Sequence, residues 1–256
     1  TTLWNKNSGL TENTTYWFRV KVRNDVDAVT AGWRELGGRC TKASAPTGLG
    51  FTGVYASSIT ISWSGNGSRY DAVSAKNSGF TISVTTINLT AATTTFTGLT
   101  NGTTYWFRVR AYNKANEATT FCSSKSTSTK ATQPGSPTYS NMAVDGIQAN
   151  WAHNGNPTAT KYYVECHQGS SFSVASFNSC FITGISWNKS SGLSVNTEYI
   201  FRVKAKNADN VESAWTNFVS TYTLANQPSS DAFGTITDTI IQAKWTVNSN
   251  PAGTEF

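Results

Sequence analysis

The feature that most constrains this chain is that it repeats itself. The segment Gly9-Leu10-Thr11-Glu12-Asn13-Thr14-Thr15-Tyr16-Trp17-Phe18-Arg19-Val20 returns as Gly98-Leu99 through Tyr105-Trp106-Phe107-Arg108-Val109, and again as Gly192-Leu193 through Tyr199-Ile200-Phe201-Arg202-Val203. In each copy Leu stands six residues before Tyr and an Asn (Asn24, Asn113, Asn207) stands eight after it, and the tyrosines are 89 and 94 residues apart. Pro46, Pro134 and Pro228 keep the same period, each followed seventeen residues later by Trp63, Trp151 or Trp245. Two independent landmarks with one period define a tandem array of modules rather than a single large domain.

The pattern inside each repeat is that of strands. Ile59, Ile61 and Trp63 alternate with Ser58, Thr60 and Ser62, which is the period of two expected of a strand with one buried side. Tyr105, Phe107, Val109 and Ala111 are expected to point inward and Trp106, Arg108 and Arg110 outward. No segment sustains an i, i+3, i+4 apolar pattern, charged residues are only 13%, and Thr, Ser, Asn and Gly are abundant. The fold class is therefore all-β, with Trp63, Trp151 and Trp245 as core residues.

A Trp near the end of the second strand, followed about forty residues on by Leu, an Asn or Gly turn and Thr-x-Tyr-x-Phe-Arg-Val, resembles the fibronectin type III family. The resemblance implies tandem immunoglobulin-like β-sandwiches. It also implies a tyrosine corner at Leu10 and Tyr16, Leu99 and Tyr105, and Leu193 and Tyr199, in which the Tyr hydroxyl bonds to backbone a few residues upstream. Asn13, Gly102 and Asn196 suit the arch because Asn and Gly tolerate the left-handed conformation. The family often has Pro in this arch; here none of the three copies does.

The phase of the repeat divides the chain into the closing half of a module (1–44), two complete modules (45–133 and 134–226) and the opening half of another (227–256). Thr2-Leu3-Trp4-Asn5-Lys6 matches Ser186-Trp187-Asn188-Lys189, and Asn250-Pro251 onward matches Asn156-Pro157 onward. The half-modules expect completion by further modules of a longer chain, or by a neighbouring subunit in a head-to-tail fibre.

Catalytic and cofactor signatures are weak. Gly48-Leu49-Gly50-Phe51-Thr52-Gly53 matches a dinucleotide-binding string but leads into strand residues and not a helix. His153 and His167 lack metal-site spacing, and the carboxylates Asp71, Glu117, Asp145 and Glu165 are dispersed. The expectation is a non-enzyme without cofactor or metal. The net charge is +6, but the basic residues are scattered, so no nucleic-acid partner is expected; no apolar run is long enough for a membrane span.

Four cysteines suggest two bridges. Cys166 and Cys180 are fourteen residues apart across an expected hairpin, and Cys40 and Cys122 fall where a bridge could staple neighbouring modules; free thiols are the alternative. Bridges would place the chain in an oxidising, extracellular setting. Finally, Trp17, Arg19 and Lys21, then Trp106, Arg108 and Arg110, then Arg202 and Lys204 form outward stripes, and Trp33, Phe121 and Trp215 fall sixteen or seventeen residues after their tyrosines. These rings could lie across the cations as a ladder similar to that of cytokine-receptor modules, although only Ser213-Ala214-Trp215 matches that motif. They could instead be an exposed platform for stacking sugars. The functional expectation is an extracellular structural or adhesive repeat segment of a stalk, fibre or filament. Its alternative is a set of glycan-binding, protein-binding or spacer modules in a larger secreted enzyme or receptor.

Overall fold

The structure is a computed structural model that describes residues 3–24, 26, 32–173 and 177–256. Thr2, the first residue of the N-terminal match, lies outside the described residues. Among the described residues every element is a strand. The chain separates into two compact units, residues 1–99 with 103–129, and residues 100–102 with 130–256.

In the first unit β1 (Thr15–Val20) and β2 (Arg34–Cys40) form an antiparallel pair. They are followed by β3 (Thr47–Val54), β4 (Ser58–Ser64), β5 (Arg69–Ala75), β6 (Thr85–Leu89), β7 (Thr93–Thr97), β8 (Thr104–Tyr112) and β9 (Lys125–Ser128). These seven strands make two sheets of order β3-β4-β7 and β6-β5-β8-β9, a two-layer sandwich. The core draws on both layers: Leu49, Ile59, Ile61, Trp63 and Phe96 from one, and Tyr70, Ala72, Tyr105, Phe107, Val109 and Ala111 from the other. The alternation in β4 and β8 is therefore the imprint of one buried face per sheet. The glycine string of β3 lies in a strand whose register shifts between Thr47 and Gly50 and again between Phe51 and Gly53; the glycines accompany bulges, not a phosphate-binding turn.

The second unit repeats the plan. Its strands are β10 (Gly135–Ser140), β11 (Ile147–Ala152), β12 (Lys161–Gln168), β13 (Phe177–Ile182), β14 (Ser186–Lys189), β15 (Glu198–Lys206), β16 (Thr216–Asn217) and β17 (Thr221–Tyr222). They form β10-β11-β14 and β13-β12-β15, with β16 and β17 both pairing β15. Ile147, Ala149, Trp151, Tyr162, Val164, Phe201 and Val203 fill its core. Two short strands, β18 (Ser229–Ser230) and β19 (Trp245–Thr246), pair beyond it.

Trp63 and Trp151 are buried as core residues, whereas Trp245 is 51% exposed and meets the ring of Phe256 at the face of the β18-β19 pair. Trp245 is thus a corrected core assignment: no second sheet among the described residues covers its face. Leu3, Trp4, Phe18 and Leu36 line the corresponding uncovered face beside β1 and β2, with Leu3 and Trp4 largely exposed.

The tyrosine hydroxyls occupy the arch. Tyr16 accepts the Thr11 N–H at 2.7 Å and Tyr199 the Ser194 N–H at 2.8 Å, each five residues upstream. Tyr105 is buried at the same register. Leu193 is buried beneath its tyrosine and Leu99 packs against the core of its sandwich, while Leu10, over which no second sheet lies among the described residues, is exposed.

Candidate functional site

The richest chemistry lies on the outer faces of the sheets that carry β8 and β15. Outward side chains of adjacent strands stand about 5 Å apart, close enough for long cations and rings to interleave. In the first sandwich Arg108 is held between Phe80 and Phe121, its guanidinium carbon 4.0 and 4.1 Å from the two ring centroids. Arg110 follows over Phe121 at 5.0 Å and Tyr112 at 5.3 Å, and Arg69 closes the row over Tyr112 at 3.4 Å. Trp106 and Phe121 pack beside an outer cluster of Val73, Ala75 and Phe80. Strand β5 is consequently buried on both faces, because the 76–84 segment folds Phe80 over its outer side.

Asp71 neutralises this row. It lies directly opposite Arg110 in the register and takes two bonds from it at 2.8 Å, a third from the Tyr112 hydroxyl at 2.6 Å, and others from Arg69 and Asn88. Burial opposes the charged carboxylate, but the bonds from Tyr112, Arg110 and Asn88, with the Arg110 charge, outweigh it and hold the carboxyl below the usual aspartate range.

The second sandwich builds the same row from different residues. Arg202 lies between Phe172 at 5.0 Å and Trp215 at 4.3 Å; Lys204 lies between Trp215 at 4.5 Å and Tyr163 at 5.3 Å; Lys206 stands 3.7 Å over Phe181. The carboxylate here is Glu165, opposite Arg202, bonded to its Nε at 2.7 Å and Nη2 at 2.6 Å. Glu165 also lies 3.2 Å from Nε2 of His167, a buried ring whose Nδ1 has no partner among the described residues. In the N-terminal pair Arg19 and Lys21 stack on Trp33 at 4.3 and 4.8 Å. Trp17 is 77% exposed and lies against Gly38, where a Cβ would come within 3.3 Å of the indole.

Sequence reasoning thus named Arg19, Lys21, Arg108, Arg110, Arg202 and Lys204 with the rings Trp33, Phe121 and Trp215, but missed Arg69, Lys206, Tyr112, Tyr163 and Phe181 in the rows, and with them Phe80, Phe172, Asp71 and Glu165. The two phenylalanines each stand ten residues after the buried tyrosine of β5 or β12, Tyr70 or Tyr162, a spacing that counting from the corner tyrosines did not reveal. The carboxylates are opposed to their arginines only once the register of β5 with β8 and of β12 with β15 is known.

The cysteine expectations need correcting, for all four are free. Cys166 is fully buried in the core and its cross-strand partner is Phe177. Two residues, Ser179 and Cys180, oppose the single Val164 in a bulge that turns Cys180 out to solvent with a φ of +54°. Burial pushes the Cys166 thiol up to about 12. Cys40 lies against the Thr41 carbonyl and the Asn13 side chain, whereas Cys122 accepts the Val109 N–H, so each occupies a separate polar niche. His153 is 2.9 Å from the Tyr162 hydroxyl, in a different setting from His167, and no cluster of three metal-ligating side chains exists among the described residues.

A sandwich with a core Trp, a tyrosine-pinned arch and an all-antiparallel pair of sheets matches known modules. Residues 44–123 match the family described as fibronectin type III domain. The chain resembles tandem fibronectin type III modules. A two-domain fibronectin type III segment of chicken tenascin superposes on 70% of this chain and all of its own length, with a TM-score of 0.51 and 13% identity, a likeness of fold. Chitinase A1 of Niallia circulans is 32% identical over 201 residues, covering 72% of this chain. The chain spans only 26% of the length of that curated relative. On these fibronectin type III-like modules the aromatic rows face outward and most of their rings carry a cation of the same chain on one or both sides.

Proposed function

We propose that these modules are a non-catalytic structural segment of a larger extracellular protein, serving as a spacer or stalk that holds other parts of that protein apart. The observation that carries this reading is the occupancy of the aromatic faces. Phe121, Tyr112 and Trp215 are each covered by intramolecular cations, so these rings stiffen their sheets and do not stack on a ligand. The match to about a quarter of a chitinase supports a place inside a larger protein.

A second reading, contact with polysaccharide, is favoured by one observation: the flat, exposed indole of Trp17 on the Gly38 backbone. Co-sedimentation with insoluble chitin and cellulose, followed by measurement of released reducing sugar, separates the readings. The spacer role expects the chain to stay in solution and to release no sugar. Sedimentation with chitin that Trp17→Ala abolishes would replace it with the second reading, and release of sugar would overturn both.

A further inference from the structure

One asparagine in each repeat clamps the linker that enters its sandwich. The backbone N–H of Ser44, Thr132 and Asn226, each two residues before the linker proline, donates to the side-chain oxygen of Asn66, Asn156 and Asn250 at 3.1, 2.8 and 2.7 Å. In the second and third copies the Nδ2 of the same carboxamide returns to the carbonyl of that linker residue, at 2.8 Å in both. Both of these asparagines are buried, and a proline follows each, Pro157 and Pro251.

The first clamp departs from this pattern in three respects. Asn66 is exposed, it is followed by Gly67, and its Nδ2 donates to the Glu12 carboxylate at 2.6 Å and not to the linker carbonyl. Glu12 also accepts the Ser44 hydroxyl at 2.5 Å, so one carboxylate is held against both halves of the clamp.

The residue after an asparagine decides whether the side-chain amide can be lost without an enzyme. The nitrogen of that residue gives up its proton and attacks Cγ; the new N–Cγ bond closes a succinimide ring, the Cγ–Nδ2 bond breaks, and ammonia leaves with the proton. Water then opens the ring to aspartate or isoaspartate. The net change consumes one water, releases one ammonia and exchanges no electrons. A proline has no N–H to give up, so Asn156 and Asn250 are closed to this route. Gly67 has the N–H and no side chain in the way of ring closure. Within the fold that N–H is engaged, donating to the Tyr70 hydroxyl at 3.1 Å.

We propose that Asn66 is a self-modification site, restrained by Tyr70, whose deamidation loosens the first linker clamp. Either product adds a negative charge where a donor had faced Glu12, and like charges at hydrogen-bond distance repel. The second and third clamps keep their amides.

The test incubates the whole folded chain at mildly alkaline pH and reads it by peptide mapping with isoaspartyl methyltransferase labelling. Fragmentation separates Asn66 from the other Asn-Gly pairs, at 101–102 and 154–155. Asn66 is expected to convert while Asn156 and Asn250 stay intact. Tyr70→Phe, which keeps the ring and frees the Gly67 N–H, should convert about fivefold faster, the worth of one ordinary net hydrogen bond. Asn66→Asp installs the charge directly and should speed amide exchange of Ser44 by about fivefold. Adding Glu12→Gln puts an amide back across from the new carboxylate and should return Ser44 close to its original rate. An Asn66 that keeps its amide in both the unaltered chain and Tyr70→Phe, or that converts equally fast in the two, would overturn the proposal. So would a Ser44 amide indifferent to Asn66→Asp or unrecovered by Glu12→Gln.

Discussion

If the outward rows hold their sheets by cation–π contact and not by packing alone, Arg108 and Phe121 must be energetically coupled. Arg108 lies 4.0 Å from Phe80 and 4.1 Å from Phe121, and Phe121 also carries Arg110 at 5.0 Å. Such contacts are worth about 0.5–1 kcal/mol when exposed and about 2 when desolvated, and Arg108 is half-buried. Arg108→Met keeps the apolar stem and loses two ring contacts, an expected cost of about 1–2 kcal/mol. Phe121→Ala loses two ring contacts and its packing on Val73, Ala75 and Phe80, an expected cost of about 2–4 kcal/mol. The double variant should cost about 1 kcal/mol less than the sum, that difference being the shared contact. Because a chain of several modules does not unfold in one step, the stability of this sandwich is best read from exchange of its own core amides, Ile61 and Phe107, under native conditions. A coupling below about 0.3 kcal/mol, within the additivity of independent sites, would refute the cation–π account and reduce the row to ordinary apolar cover.

Glu165→Gln removes the charge that faces Arg202, itself only partly buried, so a loss of about 1–2 kcal/mol is expected in the exchange stability of Val203, with Asn178→Ala as a neighbouring control near zero. Asp71 is held below its ordinary range in the folded state, so its contribution is complete above the unfolded aspartate value and is lost as pH falls through the lower folded one. Stability of the first sandwich should therefore decline below about pH 4, and Asp71→Asn should flatten that acid limb in a pH series of denaturant midpoints. An aromatic disulfide reagent at mildly alkaline pH should modify Cys180 quickly and Cys166 only on unfolding, since burial holds the latter as a thiol with its pKa pushed up to about 12; tryptic mapping of the labelled chain identifies the sites.

How much of this was legible beforehand follows the range of the interactions. The period of Tyr16, Tyr105 and Tyr199 and the alternation in β4 and β8 are local patterns imposed by one buried face per sheet, and they specify the sandwich without reference to any other strand. Arg108, Arg110, Arg202 and Lys204 and the rings Trp33, Phe121 and Trp215 were visible because they lie at nearly constant distances from the corner tyrosines. Asp71 and Glu165 were not, because a carboxylate in a strand reads as surface until the register sets it opposite an arginine. The hairpin bridge failed for the same reason: fourteen residues between Cys166 and Cys180 suit a hairpin, but the register sets Cys166 opposite Phe177 and leaves Cys180 in the bulge beside Val164, exposed while Cys166 is buried. Trp245 carries the sequence context of Trp63 and Trp151; only the presence of a facing sheet distinguishes a core indole from an exposed one.

The basic excess of the chain and its wealth of rings account for one another. Arg19, Lys21, Arg69, Lys76, Arg108, Arg110, Lys189, Arg202, Lys204 and Lys206 each lie over an aromatic ring, which is ten of the chain's 20 lysines and arginines. Ten of the 20 cations are thus spread along the faces of several sheets, with Asp71, Glu165 and Glu212 set among them, and do not concentrate into one patch for a polyanion. The carboxylate need not stand at one fixed place: Asp71 faces Arg110 in one sandwich, and Glu165 faces Arg202, two positions earlier along the strand, in the other. What the two rows share is the alternation of ring and cation with a carboxylate set opposite an arginine, buried as Asp71 and half-buried as Glu165, to which the second row adds Glu212 on Lys204 at 2.5 Å. Cations of the same chain lie over Phe121, Tyr112 and Trp215, whereas Trp17 is 77% exposed, so the spacer and sugar-stacking readings are told apart at Trp17.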